Sequence, residues 1–173
     1  MIDEDEGPLG VDPPQLDPEA LLLCGLMWAG KQHPPSDEVC RILEPGDFYD
    51  PHHGRLFGFL ASRRRAHQPV DPASIGSALS ELGDSAPLPR HTARRLLLEL
   101  TTLHVVPELV TDYADQVLGM SYRRQFQAMT AALVHASEHL PEGELFPALV
   151  KHGRAQRAAW KRRQAFRPRA TES

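Results

Sequence analysis

One uninterrupted stretch, from Pro107 to about His139, restricts the fold of this chain more than any other feature. It contains no further proline and a single glycine, Gly119, so a helix of about 33 residues is predicted. Within it, apolar residues recur at steps of 4, 3, 4 and 3: Tyr122, Phe126, Met129, Leu133 and Ala136. This spacing is typical of a seam that faces another helix. The fold must therefore provide a partner for a helix that is long for a globular protein.

A partner helix is predicted directly after this stretch. Pro141-Glu142-Gly143 has the composition of a turn, and a return helix is expected from Glu144 to roughly Arg163. The two helices predict an antiparallel hairpin over residues 105–160. Six side chains form its apolar seam and are the predicted interface with another copy or a partner: Tyr122, Phe126, Met129, Leu133, Leu145 and Leu149.

The residues before the hairpin predict a small helical head over residues 16–104. Leu and Ala together number 42, against 18 for Val, Ile and Thr, so the fold class is all-α. Three Asp-Pro pairs combine a helix N-cap with a proline at the first helical position. About five helices are expected: Pro18–Trp28, which should be the central core helix, Asp37–Leu43, Pro51–Ala66, Pro72–Leu82 and His91–Leu103. Residues 1–15, acidic and without periodicity, are expected to be a disordered arm.

The charge of the chain is strongly polarised. Residues 1–150 hold 11 Lys+Arg and 22 Asp+Glu, whereas residues 151–173 hold 8 and 1. A basic tail over residues 161–173, continuous with the end of the return helix, suggests contact with nucleic acid or with an acidic protein surface. The possible nucleic-acid contacts are Arg154, Arg157, Lys161, Arg162, Arg163 and Arg167, with Trp160 between them as a stacking surface. The alternatives are a solvated helix end and a Trp160 that closes the hairpin seam.

No motif for catalysis or cofactor binding is present. The sequence has no phosphate-binding glycine loop and no nucleophile elbow. His135 and His139 have the i, i+4 spacing of metal ligands but lack an H-E-x-x-H context, so a solvated helix face is favoured. Cys24 and Cys40 lie in apolar helical patterns and are expected to be buried, unreactive thiols. We therefore predict no catalytic residue, no cofactor and no metal site.

No membrane segment is expected either. The longest strongly apolar stretch, Ala20–Ala29, is about half the length of roughly 20 residues that a bilayer-spanning helix needs. The acidic residues 3–6 are unlike the basic entry of a signal peptide. A cytoplasmic protein is the expectation.

Several short motifs follow one another along the chain from Leu16 to about Leu149. An opening helix with an apolar-Gly-apolar core is followed by an L-x-P-x-D-F-Y…H-x-x-[IL]-F signature, a P-V-D step and a hairpin turn. The residues concerned are Pro18-Glu19-Ala20, Leu23–Met27, Leu43–Tyr49, His53, Leu56-Phe57, Gln68-Pro69-Val70-Asp71, Leu79, Tyr113-Ala114, Arg123-Arg124 and Pro141-Glu142-Gly143. In this order they make the chain resemble the N-terminal domain of the DnaB-family replicative helicases. The chain departs from the family at Thr92–Leu97, where a Tyr-Leu pair is usual, and in its basic end.

The resemblance implies a non-catalytic function in DNA replication. In such helicases the hairpins pair between subunits to build a ring tier that organises the hexamer and receives primase, while the ATPase motor is a separate downstream domain. No motor motif occurs here, so a stand-alone interaction protein is expected. It would form homo-oligomers through its hairpin and contact helicase or primase. The resemblance also implies that Asp47-Phe48-Tyr49 lays two aromatic rings over the core. The alternative function is a nucleic-acid-binding accessory protein that acts through the basic segment.

Overall fold

In the computed structural model, which describes residues 17–166, the chain consists of seven α-helices and three short 3₁₀ turns, with no β-strand in that range. The predicted all-α fold class is confirmed. The helices are α1 (Pro18–Trp28), α2 (Pro34–Ile42), α3 (Pro51–Arg65), α4 (Pro72–Glu81), α5 (Arg90–Thr101), α6 (Val110–His139) and α7 (Glu142–Arg163), and the 3₁₀ turns are Pro45–Asp47, Gly83–Ser85 and Pro107–Leu109. No described helix has both the length and the apolar character needed to cross a bilayer.

The three Asp-Pro helix starts are confirmed. Asp17, Asp50 and Asp71 each precede a proline that opens a helix. Their carboxylates accept the backbone N–H of the residue two or three positions later, at 2.9, 2.7 and 3.0 Å. Each bond satisfies one of the N–H groups that a helix start leaves without a partner.

Three helix starts differ clearly from the prediction. The long helix begins at Val110 and has 30 residues, because Pro107–Leu109 forms a 3₁₀ turn before it. The second helix begins at Pro34, three residues before Asp37, because His33 caps it: the N–H of Ser36 donates to His33 Nδ1 at 3.3 Å. The return helix begins at Glu142, so Gly143 lies in its first turn and the connection shrinks to Leu140 and Pro141. In the last two cases prolines sit at or before the first helical position, where their fixed φ favours the helix.

Helix α1 is the centre of the core, as predicted. Leu22 and Leu23 are fully buried, and α1 packs against α3, α5 and α6. Both thiols are buried, as expected, and burial raises the pKa of Cys40 to about 11.

Helix α6 belongs to both the head and the hairpin. Its first turns contribute Val110, Ala114 and Val117 to the head core, while its later part packs against α7. Its 30 residues span about 45 Å at 1.5 Å per residue. The domain boundary predicted between residues 104 and 105 therefore falls just before a helix that both parts share.

Candidate functional site

The structure brings five of the six predicted interface residues together on the hairpin. A shallow groove of about 350 Å³ between α6 and α7 is lined by Tyr122, Met129, Leu133 and Leu149. Phe126, 48% exposed, lies in an adjoining cleft at the base of the hairpin. Leu145 is half-buried and lines neither of these depressions.

Trp160 joins the two depressions, because it lines both and is 52% exposed. It lies beside the seam between α6 and α7 and leaves about half of its surface open. Met120, which the heptad-like series omits, lines the cleft beside Phe126. The apolar side chains of the groove and the cleft are called the hairpin surface below: Met120, Tyr122, Phe126, Met129, Leu133, Leu149 and Trp160.

Some exposed apolar side chains of the two hairpin helices lie outside the predicted seam. Val134 and Phe146 are 54% and 72% exposed. Each directly follows a residue of the predicted seam, so it falls outside a pattern of 3 and 4 residue steps. Only the geometry of the folded hairpin distinguishes such residues from core positions.

The predicted nucleic-acid contacts divide into two groups. Arg154, Arg157 and Lys161 are exposed, and their steps of 3 and 4 residues place them on one side of α7. Arg162 and Arg163 instead bind carboxylates of this chain. Arg167 and the rest of the predicted tail after Phe166, like residues 1–15, lie outside the described residues.

Arg162 takes part in a buried polar cluster that joins the hairpin to the head. The buried carboxylate of Asp47 accepts a hydrogen bond from the hydroxyl of Ser121 on α6, at 2.8 Å, and forms an ion pair with Arg162 on α7. It also accepts the N–H of Glu44, at 2.8 Å. We call Asp47, Ser121 and Arg162 the clasp, since one head carboxylate holds both hairpin helices.

A second ion pair lies beside the clasp, between Arg163 of α7 and Asp115 of α6. It explains Gly119, the single glycine of the long helix. A Cβ added there would lie 3.2 Å from Arg163 Nη2. The glycine lets the guanidinium lie against the helix backbone and still reach Asp115.

Another buried polar cluster lies just before α3, where Glu19 of α1 meets Tyr49 and Asp50. Its carboxylate accepts the N–H groups of Tyr49 and Asp50 and contacts His53 Nδ1 at 3.1 Å. Burial alone would raise the pKa of Glu19, but the hydrogen bonds from His53 and from the two amides lower it below its usual value. For His53, burial alone would lower the pKa, but the bond to Glu19 and the carboxylates of Asp50 and Asp17 raise it.

The side chains of Asp17, Glu19 and His53 are of metal-ligand types and place one ligand atom each within 4.8 Å of the others. Both oxygens of Glu19 already accept hydrogen bonds from the backbone of Tyr49 and Asp50, just before α3. The cluster therefore has a structural explanation, as a cap that fixes α1 against α3.

The expected pair of aromatic rings over the core is half correct. Phe48 is buried, with its ring centroid 4.9 Å from that of Phe57. Tyr49 is 76% exposed, because its backbone is bound to Glu19 and its ring extends into solvent beside Arg124. Arg124 in turn donates to the carbonyl of Asp47, next to the clasp.

As a whole, the hairpin offers exposed apolar side chains, amides and guanidinium groups on a pair of helices that the clasp joins to the head. Such a set suits recognition of another surface. Aromatic residues, methionine and arginine are enriched where proteins bind one another.

Comparison with known proteins agrees with this architecture. Residues 11–119 match the family model described as the DnaB-like helicase N terminal domain. The fold is similar to the crystal structure of the N-terminal domain of DnaB helicase from Mycobacterium tuberculosis, with a TM-score of 0.61 and 22% sequence identity over 83% of this chain and 96% of that chain. No curated protein sequence matches significantly.

Proposed function

Since this chain belongs to the family of DnaB-like helicase N-terminal domains, we propose that it is a non-catalytic protein of DNA replication that self-associates through its hairpin and contacts replicative helicase or primase. The N-terminal domain of these helicases is a non-catalytic part that mediates oligomerisation and protein contacts. Such a role would place the protein in the cytoplasm.

The hairpin surface is the observation that carries this proposal. Phe126, Leu149 and Trp160 are each about half exposed, and they border depressions lined by Tyr122, Met129 and Leu133. Exposed apolar groups that lie together on a protein surface favour association. Each Å² of apolar area that is removed from water stabilises the complex by about 25 cal/mol. The clasp supports the proposal, since it fixes the direction in which the hairpin presents this surface.

Light scattering coupled to size-exclusion chromatography tests self-association. The wild-type chain at tens of micromolar is expected to elute as an oligomer. The double variant Phe126→Lys/Leu149→Lys should elute as a monomer with unchanged circular dichroism. Leu82→Lys, which alters an exposed leucine of the head, is the matched control and should keep the oligomer.

Binding to a helicase or primase is measured separately, with purified host proteins and the same variants. Loss of binding in the hairpin variant alone supports the proposed contact. A strictly monomeric wild-type chain that also binds neither protein contradicts the whole proposal.

A second candidate function, nucleic-acid binding, is favoured by the row of Arg154, Arg157 and Lys161 beside Trp160. These cations are exposed and take part in no ion pair among residues 17–166. Arginine and an exposed aromatic ring together suit single-stranded nucleic acid. Affinity for a fluorescent oligonucleotide should then fall steeply with salt, and Arg154→Gln/Arg157→Gln should reduce that salt dependence. Arg41→Gln/Arg95→Gln, which removes two exposed cations elsewhere, is the control. Equal effects of both double variants would contradict a specific binding row.

A further inference from the structure

The head contains a cleft that the proposed function does not use. It lies between α4 and α5, encloses about 860 Å³, and has an apolar floor that includes Leu79, Leu88 and Leu97. These three side chains are nearly buried, whereas Leu98, at the mouth, is 60% exposed. We call it the α4–α5 cleft. Its size and floor suit a short peptide segment with aliphatic side chains.

The rim of this cleft is basic. Arg55 of α3 and Arg90 and Arg94 of α5 line it and are exposed. None of them forms an ion pair with any residue between 17 and 166, whereas Arg41 and Arg95, also exposed on helices, pair with Glu38 and Glu99. Among the described residues that line the cleft, Asp84 is the one carboxylate, so the charges of these residues sum to an excess of two positive. Three cations around an apolar floor are complementary to an acidic segment.

We propose that the α4–α5 cleft receives residues 2–12 of this same chain. That segment carries five carboxylates and no Lys or Arg, and it contains three aliphatic residues, Ile2, Leu9 and Val11. The carboxylates would face the three arginines, and the aliphatic side chains would cover Leu98 and the floor. The segment therefore complements the cleft both in charge and in apolar character.

The connection is long enough for this contact. Sixteen residues precede Asp17, and an extended chain of that length reaches up to about 50 Å. Asp17 lies 3.6 Å from His53 of α3, only two residues before Arg55 at the rim of the cleft. A segment tethered this closely has an effective concentration in the millimolar range, so even a weak contact is populated.

The consequence is that the acidic segment and any external acidic partner would compete for one surface on the head. Docking would cover Leu98 and neutralise the three guanidinium groups, while the hairpin surface stays free. The inference is therefore independent of the proposed function, because neither its residues nor its test involves the hairpin surface.

Paramagnetic broadening of amide signals in the 173-residue chain tests whether residues 2–12 occupy the α4–α5 cleft. A nitroxide is attached to Gly10→Cys; Cys24 and Cys40 are at most 5% exposed and stay unlabelled in the folded protein. The amide signals of Gly83 and Leu98 should broaden, while those of His139 at the hairpin tip should not. Undiminished signals at Gly83 and Leu98 would overturn the proposal.

Two variants and one mixing experiment complete the test. Arg90→Ala/Arg94→Ala should lower the ratio of docked to undocked chain about fivefold, as expected for two lost exposed ion pairs. Arg41→Ala/Arg95→Ala, the control, should leave the broadening unchanged; an equal loss in both variants would contradict the role of the cleft. In a mixture of spin-labelled chain with isotope-labelled, spin-free chain, broadening at Leu98 would identify the occupant as a second copy and overturn the intramolecular assignment.

Discussion

Arg162, at the end of α7, forms an ion pair with the buried carboxylate of Asp47, which lies 115 residues earlier in the chain. The contact closes the fold, since the last described helix returns to the turn that precedes α3. The same carboxylate accepts the Ser121 hydroxyl, so the hairpin is held to the head through both of its helices.

Replacing Asp47 with Asn should weaken this attachment. The substitution keeps the side-chain volume but removes the charge that faces Arg162, whose side chain is 29% exposed. Because that guanidinium is partly solvated, we expect a loss of about 2 kcal/mol in the free energy of unfolding, below the 3–5 kcal/mol typical of fully buried pairs. Urea unfolding measures it. Glu38→Gln, which breaks the exposed pair with Arg41, should cost under about 0.5 kcal/mol. Equal costs for the two variants would show that the clasp stabilises no more than a surface ion pair.

Gly54 is predicted to tolerate no side chain. A Cβ at this position of α3 would lie 2.4 Å from the backbone oxygen of Pro45, an atom that cannot move without shifting the 3₁₀ turn. Gly54→Ala should therefore destabilise the protein by about 2 kcal/mol, the usual effect of overpacking a rigid contact. Gly153→Ala, in an open part of α7, should have the opposite effect and stabilise by up to about 1 kcal/mol through helix propensity. Thermal unfolding of the two variants measures both signs, and a stabilising Gly54→Ala would refute the close approach.

The Glu19–His53 contact should give the protein a stability maximum at mildly acidic pH. The pKa of His53 is raised in the folded state, so its contribution is complete below about 6.5 and is lost as the pH rises through the folded value. The pKa of Glu19 is lowered, so its contribution is complete above about 4.5 and is lost as the pH falls through the folded value. The pair thus stabilises most between these two limits.

Urea midpoints at pH 5.5 and pH 8 measure the upper limit of this window. The wild-type protein should lose more stability over that interval than His53→Gln, which lacks the titrating group. Arg and carboxylate contacts elsewhere are common to both proteins, so the difference isolates His53. Identical pH profiles would contradict the raised pKa.

Phe48 and Tyr49 should differ sharply in their contributions. Phe48 is buried against Phe57, so Phe48→Ala is expected to cost about 3–4 kcal/mol. Tyr49 is exposed and touches Arg124 only through its ring face, so Tyr49→Ala should cost less than about 1 kcal/mol. Calorimetry on the two variants provides the comparison, and a large effect of Tyr49→Ala would place its ring in the core after all.

Local patterns explain which parts of this fold were predictable. The Asp-Pro pairs fix helix starts within a few residues. The high proportion of leucine in α1 indicates that this helix is buried. The start of α2 was misjudged because a histidine cap, His33, is not a recognised sequence signal. The exposed ring of Tyr49 was misjudged because its orientation depends on Glu19, 30 residues away.

The candidate site was predictable only in its apolar part. The steps of 3 and 4 residues identified Tyr122, Phe126 and Met129, since helical spacing is local. The pairing of Arg162 and Arg163 with Asp47 and Asp115 leaves no such trace, because the partners are separated by 115 and 48 residues. The sequence therefore predicts a run of solvent-exposed basic residues, whereas two of them, Arg162 and Arg163, form ion pairs within the fold.

The unbroken course of α6 gives the molecule a mechanical property. Arg124 is the last residue of α6 with a described hydrogen bond to the head, and 15 residues, about 22 Å of helix, follow it up to His139. A tilt of about 10° at the clasp would displace the hairpin tip by about 4 Å over that length. The base of the same helix is embedded in the head core through Val110, Ala114 and Val117. A force applied at the hairpin tip therefore acts through α6 as a lever on these core side chains.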